Sequence, residues 1–278
     1  MSTNTQAFFI VSSGRSGTAM LHKALSTAEG CDIQHEYMVH IVQPLGVRRY
    51  MGLCDSAEAK KVLAATHIAA VRYSKMPVWG DSSNKLSWLI SELSDLMPNA
   101  KFVHLVRDGR KVVGSYFRKL ADECYDDRSS ALLGAYVRDP VHTPAPPPEK
   151  KYWWPHPRLD DPAAVAFGTF DQFERIAWHW AEINRVILES LAKLPPEQNL
   201  FVRLEDLRKS EVEARSLVEF LGLAYRPEIY ALFQRPHNVN RPEDRLLDKV
   251  QSAKFESIAG DMQKRLGYAG RAEYVVNY

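Results

Sequence analysis

Phe8-Phe9-Ile10-Val11-Ser12-Ser13-Gly14-Arg15-Ser16-Gly17-Thr18-Ala19-Met20 decides the fold: an apolar strand runs into a glycine-bearing turn that opens a helix. Such a turn presents backbone N–H groups and a helix N-terminus to an anion, so the first expectation is a phosphate-bearing ligand. Laid on the pattern G-x-x-x-x-G-K-[ST], Ser12 takes the first glycine position and Gly17 the second, while Thr18 replaces the lysine and Ala19 the metal-binding hydroxyl. The cradle survives and the metal ligand does not. Triphosphate transfer uses that metal to neutralise the bridging oxygens. A less charged sulfuryl group can be moved without it, so the turn points away from ATP chemistry. Arg15 adds a guanidinium that stays protonated, suited to a charged oxygen between two transferring groups.

Working outward, a second anchor lies at Lys101-Phe102-Val103-His104-Leu105-Val106, a short apolar run that reads as a buried parallel strand and ends in Arg107-Asp108-Gly109-Arg110. Asp108 is placed to cap the helix that follows. That helix turns Val112, Val113, Tyr116, Phe117 and Leu120 toward a core and leaves Ser115 and Arg118 off the stripe. The rest of the chain alternates in the same way. A strand over Ala7–Ser12 precedes a helix from Thr18 to about Ala28, and a strand ending at Trp79-Gly80-Asp81 precedes a helix from Leu86 to Leu96. Phe173, Ile176, Trp180, Ile183, Ile187 and Leu191 recur at helical steps between Phe170 and Leu194. A strand over Leu200–Leu204 and a capping box at Ser210-x-x-Glu213, opening a helix through Leu221, complete the pattern. The expectation is an α/β, P-loop-like fold of three layers, a central parallel sheet flanked by helices, in one domain over residues 1–278.

At this point the chain resembles the sulfotransferases that use 3'-phosphoadenosine 5'-phosphosulfate (PAPS). The Arg15-Ser16-Gly17-Thr18 turn is similar to their 5'-phosphosulfate loop, and Arg107 followed eight residues later by Ser115 looks like their 3'-phosphate site. In wording it is similar to the tyrosylprotein sulfotransferases, whose P-R-S-G-T loop and P-N-x-K-F…V-R-D-G-R segment match Gly14–Thr18 and Pro98–Arg110. Arg203-Leu204-Glu205-Asp206-Leu207, Phe220-Leu221-Gly222-Leu223 and Leu266-Gly267-Tyr268 resemble later family segments. The resemblance implies an enzyme that takes PAPS as co-substrate and needs no metal. It passes a sulfuryl group to a hydroxyl of a small molecule, glycan or peptide and releases adenosine 3',5'-bisphosphate (PAP). It also implies Glu36, twenty-one residues after Arg15, as the catalytic base beside Arg15; His35 and His40 are the alternatives. Backbone groups from Ser13 and Gly14 through Gly17, with the hydroxyls of Ser16 and Thr18, are expected on the 5'-phosphate, and Arg107 and Ser115 on the 3'-phosphate. Asn238 and Arg241, in a basic loop bounded by Pro236 and Pro242, are expected over the nucleotide.

One departure stands out. Relatives carry a sulfuryl-contacting lysine near the end of the strand before Leu86, where this chain has Gly80-Asp81-Ser82-Ser83-Asn84-Lys85. Lys85 reaches back, or Ser82 and Ser83 supply neutral donors, or the acceptor site is built differently. Asp81 reads equally as a helix cap or as a group orienting Arg15 or the acceptor. His104, inside an apolar strand, reads as a hydrogen-bonded core histidine.

Between Asp139 and Ala163 the character changes. Pro140, Pro144, Pro146, Pro147, Pro148, Pro155, Pro157 and Pro162 surround Tyr152-Trp153-Trp154. That density forbids regular helix or central strand, yet adjacent tryptophans are costly to leave in water. Residues 120–168 are therefore read as an insertion, either a loop whose aromatics pack on the body or a lid over the acceptor, with Trp178 beneath it or lining the acceptor pocket.

Composition narrows the classes. A net charge of +2 gives no global field for nucleic acid or an anionic membrane. Cys31, Cys54 and Cys124 are odd in number and scattered, and the opening residues lack a basic region before an apolar stretch, which together predict a cytoplasmic protein. No segment reads as a membrane span. Two other readings share these features: a P-loop kinase of small metabolites, and a non-catalytic module that binds PAP.

Overall fold

The computed structural model describes residues 5–235 and 246–272. Five strands, β1 (Gln6–Ser12), β2 (Cys31–His35), β3 (Val78–Ser82), β4 (Lys101–Val106) and β5 (Asn199–Arg203), form one parallel sheet in the order β2-β3-β1-β4-β5. β1 is central, and both of its faces are covered. This is why its sequence is a continuous apolar run instead of an alternation. Phe8 and Ile10 join the core beneath α1 (Thr18–Leu25) and the helices Glu211–Phe220 and Pro227–Gln234. Phe9 and Val11 face the opposite layer, with Trp79, Leu86, Ile183 and Ile187. All four β1 side chains are fully buried, each stabilising by roughly 1.5–3 kcal/mol relative to exposure.

Several helix ends differ from their sequence reading for local reasons. α1 stops at Leu25, short of Ala28, where Ser26 Oγ donates to Lys23 O (2.9 Å) and Thr27 Oγ1 to Ala24 O (2.7 Å). These hydroxyls compete for the last turn's carbonyls. The long helix is Gln172–Leu191, starting where Asp171 and Glu174 make a reciprocal capping box. The expected helix from Leu86 is split: a 3-10 turn, Asn84–Trp88, precedes a helix over Ile90–Leu96. Ser210 accepts from Glu213 N–H at 3.3 Å, one half of the anticipated box.

The proline-rich stretch contains a single 3-10 turn, Lys150–Tyr152, and follows a helix, Asp127–Arg138. Trp153 and Trp154 are buried. The three cysteines are free thiols, and no described helix is long and apolar enough to cross a membrane.

Candidate functional site

The carboxyl ends of β1, β2, β3 and β4 converge on one end of the sheet, the place where open α/β sheets take ligands. The turn after β1 is held open by its own hydroxyls. Ser12 Oγ accepts from Gly14 N–H (3.0 Å), Ser16 Oγ donates to Gly14 O (3.0 Å) and lies 3.1 Å from Ser13 Oγ, and Ser87 Oγ brackets both main-chain groups of Ser12. The Ser16 hydroxyl, expected to face an anion, is therefore turned into the loop. Gly14 has φ 78°, and a Cβ there would lie 1.9 Å from Tyr116 Oη and 2.8 Å from Asn84 Nδ2. Only glycine fits.

The two sequence anchors meet directly. Arg15 Nε donates to Ser115 Oγ at 3.1 Å, Arg107 Nη1 donates to Arg15 O at 3.1 Å, and Tyr116 Oη donates to Ser13 O at 3.1 Å. Ser115 and Tyr116 belong to the helix Gly109–Lys119, whose N-terminus Asp108 caps as expected. Asp108 also grips Arg110 through both carboxylate oxygens and accepts from Gln263 Nε2 at 2.8 Å, which fixes the helix behind the turn.

Glu36 follows β2, with its N–H directed to Ser82 O at 3.3 Å. Its carboxylate pairs with Lys150 of the proline-rich segment. Burial pushes the Glu36 carboxyl up, but Lys85 and Lys150 outweigh it and hold the group below its ordinary range, ionised at neutral pH. Lys85 is buried, its Nζ 4.9 Å from the centre of the Trp154 ring, and burial lowers it to about 8 against the pull of Glu36. Ser82 Oγ is committed to Thr18 O (2.9 Å) and Ser83 Oγ caps the 3-10 turn at Lys85 N (3.3 Å). Of the three donors considered near this strand end, Lys85 is the one whose head carries no hydrogen bond to a described residue.

Among the described residues, four other than glycine adopt positive φ: Arg15 (52°), Glu36 (54°), Met38 (51°) and Tyr125 (57°). Two of them are the residues the sequence put forward for chemistry. A left-handed side-chain-bearing residue costs on the order of 1–3 kcal/mol and persists only where its surroundings over-determine it.

The remaining sequence readings sort clearly. His35 Nδ1 is 2.7 Å from Ser82 O, and His40 Nδ1 is 3.2 Å from Pro148 O, so both imidazoles are tied to main-chain carbonyls. His104 bonds Asn184 Oδ1 (2.9 Å) and burial lowers it to about 4, a neutral core histidine as read. Asp81 neither caps a helix nor touches Arg15. It lies within β3, fully buried, between His67 Nε2 (3.2 Å) and Tyr37 N–H (3.3 Å). Asn238 and Arg241 lie outside the described residues.

Comparison with known proteins gives this geometry a family. The profile of the sulfotransferase family matches residues 7–227. The chain belongs to the sulfotransferase family. Among solved structures, this sulfotransferase is similar to the sulfotransferase domain from the curacin biosynthetic pathway (TM-score 0.51, 15% identity, 95% of this chain and 98% of that one). It is also similar to the sulfotransferase domain from the Synechococcus PCC 7002 olefin synthase (TM-score 0.50, 16% identity, 97% and 95% covered). At those identities the shared property is the fold. No curated protein matches.

In this sulfotransferase the proline-rich segment roofs the strand ends. Gln43 Nε2 donates to Lys150 O (3.0 Å) and Trp153 O (2.7 Å), Tyr125 Oη donates to Pro155 O (2.6 Å), and Trp154 Nε1 donates to Glu123 O (2.7 Å). Under the roof, Gln43, Lys85, Trp88, Trp154 and His179 line a cavity of about 10 Å³, room for about one water. His179 is neutral there, lowered to about 3 by burial and by Lys85. Trp178 packs on Phe167 of the 120–168 insertion at 4.9 Å and is not among the residues lining this cavity. Sequence reasoning missed Lys150, Gln43, Tyr116 and His67. The first had a signal, a lysine beside paired tryptophans in a proline-rich loop; the others are visible only once the sheet is assembled.

Proposed function

We propose that this sulfotransferase moves a sulfuryl group from PAPS to a hydroxyl of an acceptor and releases PAP. The observation that carries the reading is the single hydrogen-bonded unit formed by the glycine turn, Arg15, Arg107 and Ser115, which joins two anion-seeking elements that lie a hundred residues apart in the chain. The residues present fit such a co-substrate. Gly14 lets the turn close against Tyr116 Oη and Asn84 Nδ2 where a Cβ would collide, and Lys85 is a buried ammonium with no carboxylate at ion-pair distance among the described residues, a costly arrangement unless an anion completes it.

PAPS, when bound, supplies an activated sulfuryl group whose sulfur–oxygen bond to the nucleotide breaks as the bond to the acceptor oxygen forms. The backbone of Ser13–Thr18 and the hydroxyl of Thr18 hold the 5'-phosphate, and Arg107 and Ser115 hold the 3'-phosphate. Arg15 stabilises negative charge developing on the leaving oxygen, and Lys85 neutralises the sulfuryl oxygens. Glu36 accepts the acceptor's proton. Its lowered pKa makes it a weak base but guarantees the carboxylate form, so its contribution comes from position. The acceptor is a hydroxyl compound, small molecule, glycan or peptide, admitted when the roof lifts. The free thiols support work in a reducing cytoplasm.

Two measurements test this. Calorimetry with PAP is expected to give saturable one-site heat. Incubation with labelled PAPS and a metabolite extract is expected to yield a product heavier by one sulfuryl unit. No heat with PAP overturns the nucleotide assignment; heat without any product overturns the enzymatic one and leaves a PAP-binding module.

A further inference from the structure

The loop that carries Glu36 is bent left-handed on both sides of Tyr37, at Glu36 and at Met38, and something buried must hold it. Tyr37 is the pivot: its N–H donates to Asp81 Oδ1 at 3.3 Å, and its ring stands edge-on to His67 (5.3 Å) and Trp79 (5.7 Å). Asp81 Oδ2 lies 3.2 Å from His67 Nε2, and both side chains are completely buried. His67 comes from a π-helical turn, Ala64–Ile68, inserted between two helices; such turns recur at functional sites.

Thr66 Oγ1 lies 2.9 Å from Val62 O and 3.2 Å from His67 Nδ1, so it either donates to Val62 and accepts from Nδ1 or donates to Nδ1. In both arrangements one proton lies between His67 Nε2 and Asp81 Oδ2. Whichever atom holds it, a hydrogen bond joins the two and Asp81 Oδ1 remains an acceptor for Tyr37. The unit therefore links the π-turn, β3 and the loop after β2.

Resting on Glu36 as the proton acceptor, we infer that the buried Asp81–His67 pair is the positioning element of the reaction, clamping Tyr37 N–H so that Glu36 is held in its left-handed turn toward the acceptor. Neither residue touches the reacting atoms.

The test uses Asp81→Leu, Asp81→Asn and Glu36→Gln in the full chain, with amide hydrogen exchange at Tyr37, PAP affinity by calorimetry, and transfer from labelled PAPS into the extract. Leucine at position 81 removes both acceptors. Transfer is expected to fall on the order of 100-fold, the cost of a misplacement of about 1 Å, and Tyr37 exchange to accelerate, with PAP affinity unchanged. Asparagine offers an oxygen to Tyr37 and an N–H to His67 Nε2, the same pattern without the charge, so it is expected to restore slow exchange and transfer to within about threefold. Should the leucine variant not fold, Asp81→Ala, whose space water can enter, replaces it. Unchanged Tyr37 exchange in the leucine or alanine variant overturns the clamp, as does an asparagine variant equally impaired. Transfer retained in the leucine or alanine variant while Glu36→Gln abolishes it overturns the positioning role alone. Transfer retained in Glu36→Gln overturns the reading of Glu36 as base, and the exchange data then judge the clamp by itself.

Discussion

Replacing Lys85 by methionine is expected to make the protein more stable and catalytically poor at once. Burial brings the Lys85 ammonium from its ordinary 10.5 down to about 8, an interval worth about 3 kcal/mol against the charged form at neutral pH. Methionine fills similar volume without the charge, and so recovers that cost. It forfeits the attraction of the ammonium to the Trp154 face at 4.9 Å, up to about 2 kcal/mol in a desolvated setting. The balance is a gain of about 1 kcal/mol or more. Because the folded-state pKa is the lower one, the unfolded chain binds the extra proton between pH 8 and 10.5; wild-type stability therefore rises through that window, and the advantage of the variant closes above it. Urea denaturation at pH 7 and at pH 10 without nucleotide measures both quantities. Transfer in Lys85→Met is expected to drop by roughly 100- to 1000-fold. A variant less stable than wild type at pH 7, or a stability difference unchanged at pH 10, refutes the picture of a destabilising ammonium held ready for an anion.

Other expectations follow from the same geometry. In the wild type, kcat/KM for PAPS should fall above about pH 8 as Lys85 loses its proton, approaching about tenfold per pH step; a flat profile to pH 9 removes Lys85 from the site. Arg15→Ala should lower turnover by roughly two to three orders of magnitude, and a wild-type rate would strip Arg15 of its role. Gly14→Ala combines φ 78° with a Cβ 1.9 Å from Tyr116 Oη, so thermal melting and PAP titration should both show losses, and normal PAP binding would mean that the turn relaxes. Transfer should be unaffected by EDTA, since Ala19 replaces the hydroxyl that would ligate a metal; rescue by added magnesium would contradict this.

The fold was legible because its decisive strand is buried on both faces and therefore apolar at every position from Phe8 to Val11, a pattern that survives without context. Arg15, Arg107 and Ser115 were legible as a group because their spacing matches a known family, and the sheet brings them into contact. Asp81 was misread. A single aspartate before serines looks like a cap, and its true partner His67 lies in a π-turn that no short-range periodicity announces. Lys85 looked late by a few residues because the expected helix from Leu86 begins instead as a 3-10 turn at Asn84, which changes where a side chain at that position points. Glu36's pairing with Lys150 spans more than a hundred residues and passes through an irregular segment, beyond any local signal.

The roof over the strand ends is mounted in an unusual currency. Proline-rich backbone has carbonyls in surplus and few N–H groups, and the body grips it through those carbonyls: His40 at Pro148, Gln43 at Lys150 and Trp153, Tyr125 at Pro155. Contacts of this kind are blind to side-chain identity. On the proposed function, in which the acceptor enters beneath this segment, substrate range can drift, by natural divergence or by directed evolution, through substitutions along its underside while its attachment to the scaffold stays the same.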